Sequence, residues 1–176
     1  GAHANNNLDI QEYMITPIGA KSFKEAIRWC TEIFYNLKEI LKSKNLNTSV
    51  GDEGGFAADF KNNETPIEFL IKAIKASRLN PERQVMISLD VAATEFYKNK
   101  KYNLSSNKTS YTSSSMVDYL KTLRKKYPIF SIEDALNEED YEGWVKITNK
   151  LGSKIRVVGD DLFVTHIQKL QTGIDE

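Results

Sequence analysis

The chain has 176 residues, with 24 Lys plus Arg against 24 Asp plus Glu, so its net charge is zero. That balance speaks against a general nucleic-acid binder, which shows a basic excess, and against a polybasic membrane anchor. Hydrophobic residues at 40% are enough for one domain with a core and too many for a disordered chain. No apolar run approaches a membrane span, and nothing reads as a secretory signal. The single cysteine, Cys30, has no partner for an internal disulfide, as expected of a cytosolic, reducing compartment.

Residues 8–15, LDIQEYMI, alternate as a strand does. Ser22 then opens an amphipathic helix, with Glu25 three residues on as the second half of a capping box. Its apolar face is read as Phe23, Ile27, Cys30, Phe34, Leu37 and Leu41, which makes Cys30 a structural thiol rather than a nucleophile. Residues 49–57, SVGDEGGFA, carry Asp52 and Glu53 among glycines. By themselves they favour a tight turn with solvated acids over a catalytic carboxylate brought into a pocket. TPIEFLIKAIKAS reads as a helix capped by Thr65, with Pro66 in its first turn and Glu68 completing the box. VMISLD is a strand ending in Asp90, and EFYKNKKYNL a small hairpin around 98–101. A helix over SSSMVDYLKTLRKKY follows, then the strand PIFSIED, ending in Glu133 and Asp134. NEEDYEGWVKITNKLG has acids in its first turn and Gly152 at its end, both helix-terminus signals. KIRVVGDD is a further strand, ending in Asp160 and Asp161, and THIQKLQTG begins one more helix. Strand then helix, repeated, is the pattern of βα units with a buried parallel sheet.

Asp90, Glu133 and Asp160 each lie at or beside the C-terminal end of a strand. In a parallel barrel such ends open on one face, where active sites are built. Converging carboxylates repel unless a cation holds them, and oxygen-only ligands suit Mg²⁺. Any one of these acids could equally cap the next helix; three in successive strands shift the reading toward a metal. Asp134 and Asp161 remain as caps or as outer partners of the ligands.

The stretches GAHANNNLDIQEYMI, VGDEGGFA, SLDVAATEFY, PIFSIEDAL and VGDDLFVT stand in the order and approximate spacing of the enolase family, phosphopyruvate hydratase. The resemblance runs from His3 to about Thr165, and five ordered matches make it specific where GDEGG or SIED alone would not. It implies an α/β fold, the central part of an enolase-type TIM barrel truncated at both ends. Residues 1–176 would then be a partial C-terminal barrel domain, without the N-terminal α+β domain, the first barrel strand and the last barrel strands. By position, Asp90, Glu133 and Asp160 match the Mg²⁺ ligands, and Glu133 and Asp160 also face substrate. Glu53 matches the acid that assists loss of the substrate hydroxyl, Glu12 its partner acid, and Gln11 a substrate contact. His3 matches a histidine of a loop that closes over substrate. Ala135, Val91 and His166 depart from common family forms, but no matched catalytic group is lost.

The implied reaction is the reversible dehydration of 2-phosphoglycerate to phosphoenolpyruvate in glycolysis. The family also implies a homodimer for the full-length protein and a cytoplasmic location, with cell-surface occurrence by analogy. With that context the odds on the glycine stretch reverse, and Glu53 becomes a catalytic acid; crowding Glu12 near it would raise the pKa of one of the pair. The family's general base is a lysine on a later strand; Lys154 and Lys169 read as surface residues, so the 176 residues alone are expected to be inactive. Two other readings stand beside this one. The first is a non-enzymatic binding module or product of a truncated gene. The second is another enolase-superfamily enzyme, against which the Glu12 and Glu53 pair and the HANNN loop speak.

Overall fold

The computed structural model describes residues 5–106 and 108–175. Its centre is a four-stranded sheet built from β1 (Glu12–Thr16), β2 (Met86–Asp90), β6 (Ile129–Glu133) and β7 (Arg156–Val158), in the order β1-β2-β6-β7. β2, β6 and β7 run parallel, and β1 runs antiparallel to β2. The parallel repeat expected of the central and C-terminal part therefore holds for its three strands, and the first strand, outside that repeat, is reversed. Its N-terminal end then lies beside the C-terminal ends of its neighbours. The sheet is open, with β1 and β7 as its edges among the described residues. The first strand is also shorter than the 8–15 alternation suggested. Leu8 and Ile10 are buried, yet the ladder begins at Glu12.

Alternation along the strands sorts the two faces. Ile87 and Leu89, with Ile132, join the hydrophobic core under the helices. Ser88 and Asp90 point the other way and share that face with Thr16, Glu12, Ser131 and Glu133 through the strand register. Thr16 and Ser88 meet there by a 2.6 Å hydroxyl–hydroxyl hydrogen bond. The register puts Met14, Met86 and Val158 on this second face too, and Ile87 to Asp90 of β2 are buried on both faces, as expected of a buried sheet.

The helices are α1 (Phe23–Ser43), α2 (Thr65–Ala76), α3 (Ser113–Lys126), α4 (Tyr141–Leu151) and α5 (Ile167–Asp175). Ser22 caps α1 by accepting the Glu25 N–H, while the Glu25 carboxylate reaches Lys21 N–H rather than the cap residue itself. The buried side of α1 is Trp29, Ile33 and Leu41, and Phe23 and Ile27 of the expected stripe are exposed. Leu41 and Leu37 of that stripe do meet the core and Cys30 and Phe34 are half-buried, while Trp29 and Ile33 join from outside it. α2 is not capped by Thr65: Asn62 Oδ1 accepts from the N–H groups of Glu64 and Thr65 and from the Thr65 hydroxyl. Glu68 instead accepts from the Tyr127 hydroxyl, as does Glu64. α3 carries a full capping box of Thr112 and Ser115, and Asp140 caps α4.

Between β2 and α3 lies a second, small sheet of β3 (Tyr97–Lys98), β4 (Lys101–Leu104) and β5 (Thr109–Tyr111). The hairpin was legible, with Asn99 and Lys100 both at positive φ in its turn; the third strand was not. Tyr102 is fully buried and ties this sheet to the α4 side. Its hydroxyl donates to Asp140 Oδ2 at 2.6 Å and accepts from the Asn137 N–H at 3.0 Å.

Candidate active site

The strand register sets the site. Glu12 pairs with Asp90 across β1 and β2, and Asp90 pairs with Glu133 across β2 and β6. Three carboxylates therefore stand in one row, on one face, at neighbour-strand spacings of roughly 4.8 Å. Only the reversal of β1 brings Glu12 into that row. Gln11, one residue earlier, donates from Nε2 to Asp90 Oδ2 at 3.0 Å, and its own N–H bonds the Asp90 carbonyl. The other oxygen of Asp90 accepts from Ala92 N–H, and Ala92 takes a left-handed φ of +44°.

Asp160 lies two residues beyond β7 and is exposed. Asp134, next to Glu133, is 5% exposed and turns away from the row. Its carboxylate accepts backbone N–H groups of Asp160 and Asp161, at 3.1 and 3.0 Å, and more weakly that of Leu162 at 3.4 Å. Of the two acids left open in the sequence, Asp134 is thus a buried partner of the Asp160 turn, and Asp161 is exposed.

Glu53 sits near the tip of a tight turn. Gly51 N–H bonds Gly55 O, Gly54 N–H bonds Gly51 O, and Gly54 has φ +78°, a backbone state that favours glycine. Phe56 anchors the turn by stacking on Phe34 of α1, with ring centroids 4.5 Å apart. Asp52 and Glu53 are exposed, so the local geometry is the solvated turn that the residues alone suggested. Even so, Glu53 borders the same cavity as Gln11 and Glu12, a space of about 450 Å³ whose other walls are largely apolar side chains of α1 and α2. No hydrogen bond joins Glu53 to Glu12 among the described residues. Cys30 lines this cavity half-buried, and burial raises its thiol pKa, which makes it a poor nucleophile. His3 lies outside the described residues.

The row is electrostatically strained. Burial pushes Asp90 up to about 6, against the favourable Gln11 and Ala92 hydrogen bonds, with smaller contributions from Asp134 and Glu12. Glu133 is pushed up to about 7, by burial first and then by the charges of Asp90, Asp134, Asp160 and Glu12. A divalent cation would relieve that repulsion, and an all-oxygen donor set is what Mg²⁺ takes. In donor chemistry Asp90, Glu133 and Asp160 fit the ion. They are not drawn in around it: among the described residues no three carboxylate, imidazole or thiol groups converge closely enough to hold a metal as they stand.

One group of supporting residues gave no signal in the sequence reading. Asp9 accepts from Ser105 N–H, from Ser106 N–H and hydroxyl, and from the Asn63 side-chain amide. Asn63 is fully buried and its Oδ1 accepts from Asp9 N–H, while its carbonyl accepts from the Tyr13 hydroxyl. This network pins the segment before β1 to the start of α2 and to the β4–β5 loop. Its members are far apart in sequence, so no local pattern pointed to it.

The architecture and the acid row are those of an α/β enzyme domain with its polar site at parallel strand ends. The model of the enolase C-terminal TIM barrel domain matches residues 1–176, and the chain belongs to that family.

Proposed function

We propose that this domain serves enolase itself, the Mg²⁺-dependent interconversion of 2-phosphoglycerate and phosphoenolpyruvate. The observation that carries the reading is the row Glu12, Asp90 and Glu133 beside the Asp160 turn, within a chain of the enolase family. Asp90, Glu133 and Asp160 would hold Mg²⁺, which when bound offsets the negative charge that develops next to the substrate carboxylate. Gln11 fixes Asp90 by its amide and would orient substrate beside it. Glu53 delivers a proton to the departing hydroxyl, a poor leaving group without one. Glu12, which lines the same cavity, is its partner acid. His3 closes the site over substrate. The proton next to the carboxylate leaves to a base that no residue of this chain is assigned to; Lys169 is engaged with Glu138 at 3.6 Å, and Lys154 is exposed. A homodimer in the cytoplasm is part of the same reading.

The test is phosphoenolpyruvate formation from 2-phosphoglycerate by protein carrying this domain, with and without Mg²⁺, and again as Glu53→Gln. The expected outcome is Mg²⁺-dependent turnover that Glu53→Gln reduces by at least a hundredfold while Mg²⁺ binding is kept. Undiminished turnover in Glu53→Gln removes the role of that residue. No phosphoenolpyruvate at all from the Mg²⁺-bound protein turns the reading toward another superfamily substrate.

A further inference from the structure

We infer that Asp134 is a positioning residue, a buried carboxylate that holds the Asp160 turn in place so that Asp160 can act together with Glu133 and Asp90. This rests on the metal reading given above. An acid following a strand usually caps the helix that comes next. Asp134 does not: α4 is capped by Asp140, and the Asp134 carboxylate reaches forward across 26 to 28 residues instead. There Oδ1 accepts from Asp160 N–H, with Leu162 N–H a longer third contact, and Oδ2 accepts from Asp161 N–H. The turn it caps is closed by Phe163 and Val164 N–H groups donating to the Asp160 carbonyl.

Its main chain is equally engaged. Asp134 N–H donates to Val158 O at the end of β7, and Asp134 O accepts from Ala93 N–H just past β2. One residue therefore ties together the ends of β2, β6 and β7, the three strands that lead to Asp90, Glu133 and Asp160. The left-handed φ of +42° at Asp134 lets the chain leave β6 with the Asp134 side chain turned under the 160–162 backbone while Glu133 stays in the row. Aspartate is among the few side chains that adopt this conformation readily. A ligand on an exposed turn needs such support, because without it the turn must be ordered at the moment the cation binds.

Asp134→Asn separates holding the turn from filling the core. It has nearly the same shape, but however its amide is turned, at least one backbone N–H of the turn faces a donor. The full chain is titrated with Mg²⁺ alone by calorimetry, and backbone amide exchange is followed at Asp160, Asp161 and Leu162 against Ile132 in β6. The expected result is exchange at least tenfold faster across 160–162, unchanged exchange at Ile132, and Mg²⁺ affinity lower by about 10- to 100-fold. Affinity within twofold of wild type overturns the inference even where exchange quickens. If Asp134→Asn does not fold, Asp134→Glu, which keeps both oxygens but moves them by one methylene, carries the same expectation. A wild-type chain that binds no Mg²⁺ sinks the metal reading of the site. In that event turn amides that stay protected in the variant overturn the holding role of Asp134 as well.

Discussion

Glu133 shows at the scale of one residue how the site trades stability for function. Its pKa in the folded chain, about 7, lies above the ordinary 4.5 because burial and four neighbouring carboxylates oppose its charge. Asp90 behaves alike, at about 6 against 3.8. A raised folded pKa means that the folded state binds protons more tightly than the unfolded chain. The associated stability is fully present below about pH 4 and is lost as pH rises through 6 and 7. The metal-free protein is therefore expected to melt at lower temperature at pH 8 than at pH 5, with Mg²⁺ restoring part of the difference. Glu133→Gln should stabilise the metal-free chain at pH 8 by on the order of 1 kcal/mol once solvent screening is discounted, and should change little at pH 4.5. Denaturant unfolding in chelator at the two pH values checks this. An equal gain at both would assign the effect to packing rather than charge. The acids themselves were legible in the sequence, since each ends a strand-like run. Their pKa values were not, because those depend on which strands become neighbours.

Among the elements, the links between secondary-structure units carry more than the units' own propensities. Tyr102 bonds both Asp140 Oδ2 and Asn137 N–H from a fully buried position. Tyr102→Phe leaves that buried N–H without its acceptor and is expected to cost about 1–3 kcal/mol, read by denaturant unfolding. A loss below a few tenths would mean that water replaces the hydroxyl. Asn63 is the corresponding link on the other side, joining α2 to the segment before β1 through Asp9 and to the β4–β5 loop beyond. Asn63→Ala is expected to cost about 2–3 kcal/mol, since it strands several partners at once. Asp9→Ala together with Asn63→Ala should then cost clearly less than the two single losses added, and strict additivity would refute the network. Helix existence was readable from spacing, and caps were only partly so. Ser22 was found, but Thr65 does not cap α2; the N-cap position is Glu64, and Asn62 before it accepts from Glu64 N–H and Thr65 N–H together.

For the molecule as a whole, the notable feature is how much apolar surface the described residues leave uncovered. On α5, Ile167, Leu170 and Ile174 are 80%, 48% and 70% exposed, and both edges of the main sheet are open. Unpaired edges and apolar faces promote association. The 176-residue chain by itself is expected to form higher-mass species as concentration rises, and Ile167→Lys with Ile174→Lys should reduce them; light scattering after size exclusion decides. A single monomeric peak at every concentration would show that these faces are harmless. Read alone, the sequence showed the helices, the strands of the main sheet, the acids at the strand ends and, through five ordered motifs, the family, but not β5. Those are local signals: periodicity, capping residues and short motifs that survive without knowledge of what packs on what. The tertiary structure alone decided that the first strand runs backwards, which sets Glu12 beside Asp90. It also decided that Asp134 reaches under the Asp160 turn and that Asp9 and Asn63 meet. Each of these depends on contacts across tens of residues, where hydrogen-bond partners are chosen by the packing of the whole sheet and not by neighbours along the chain.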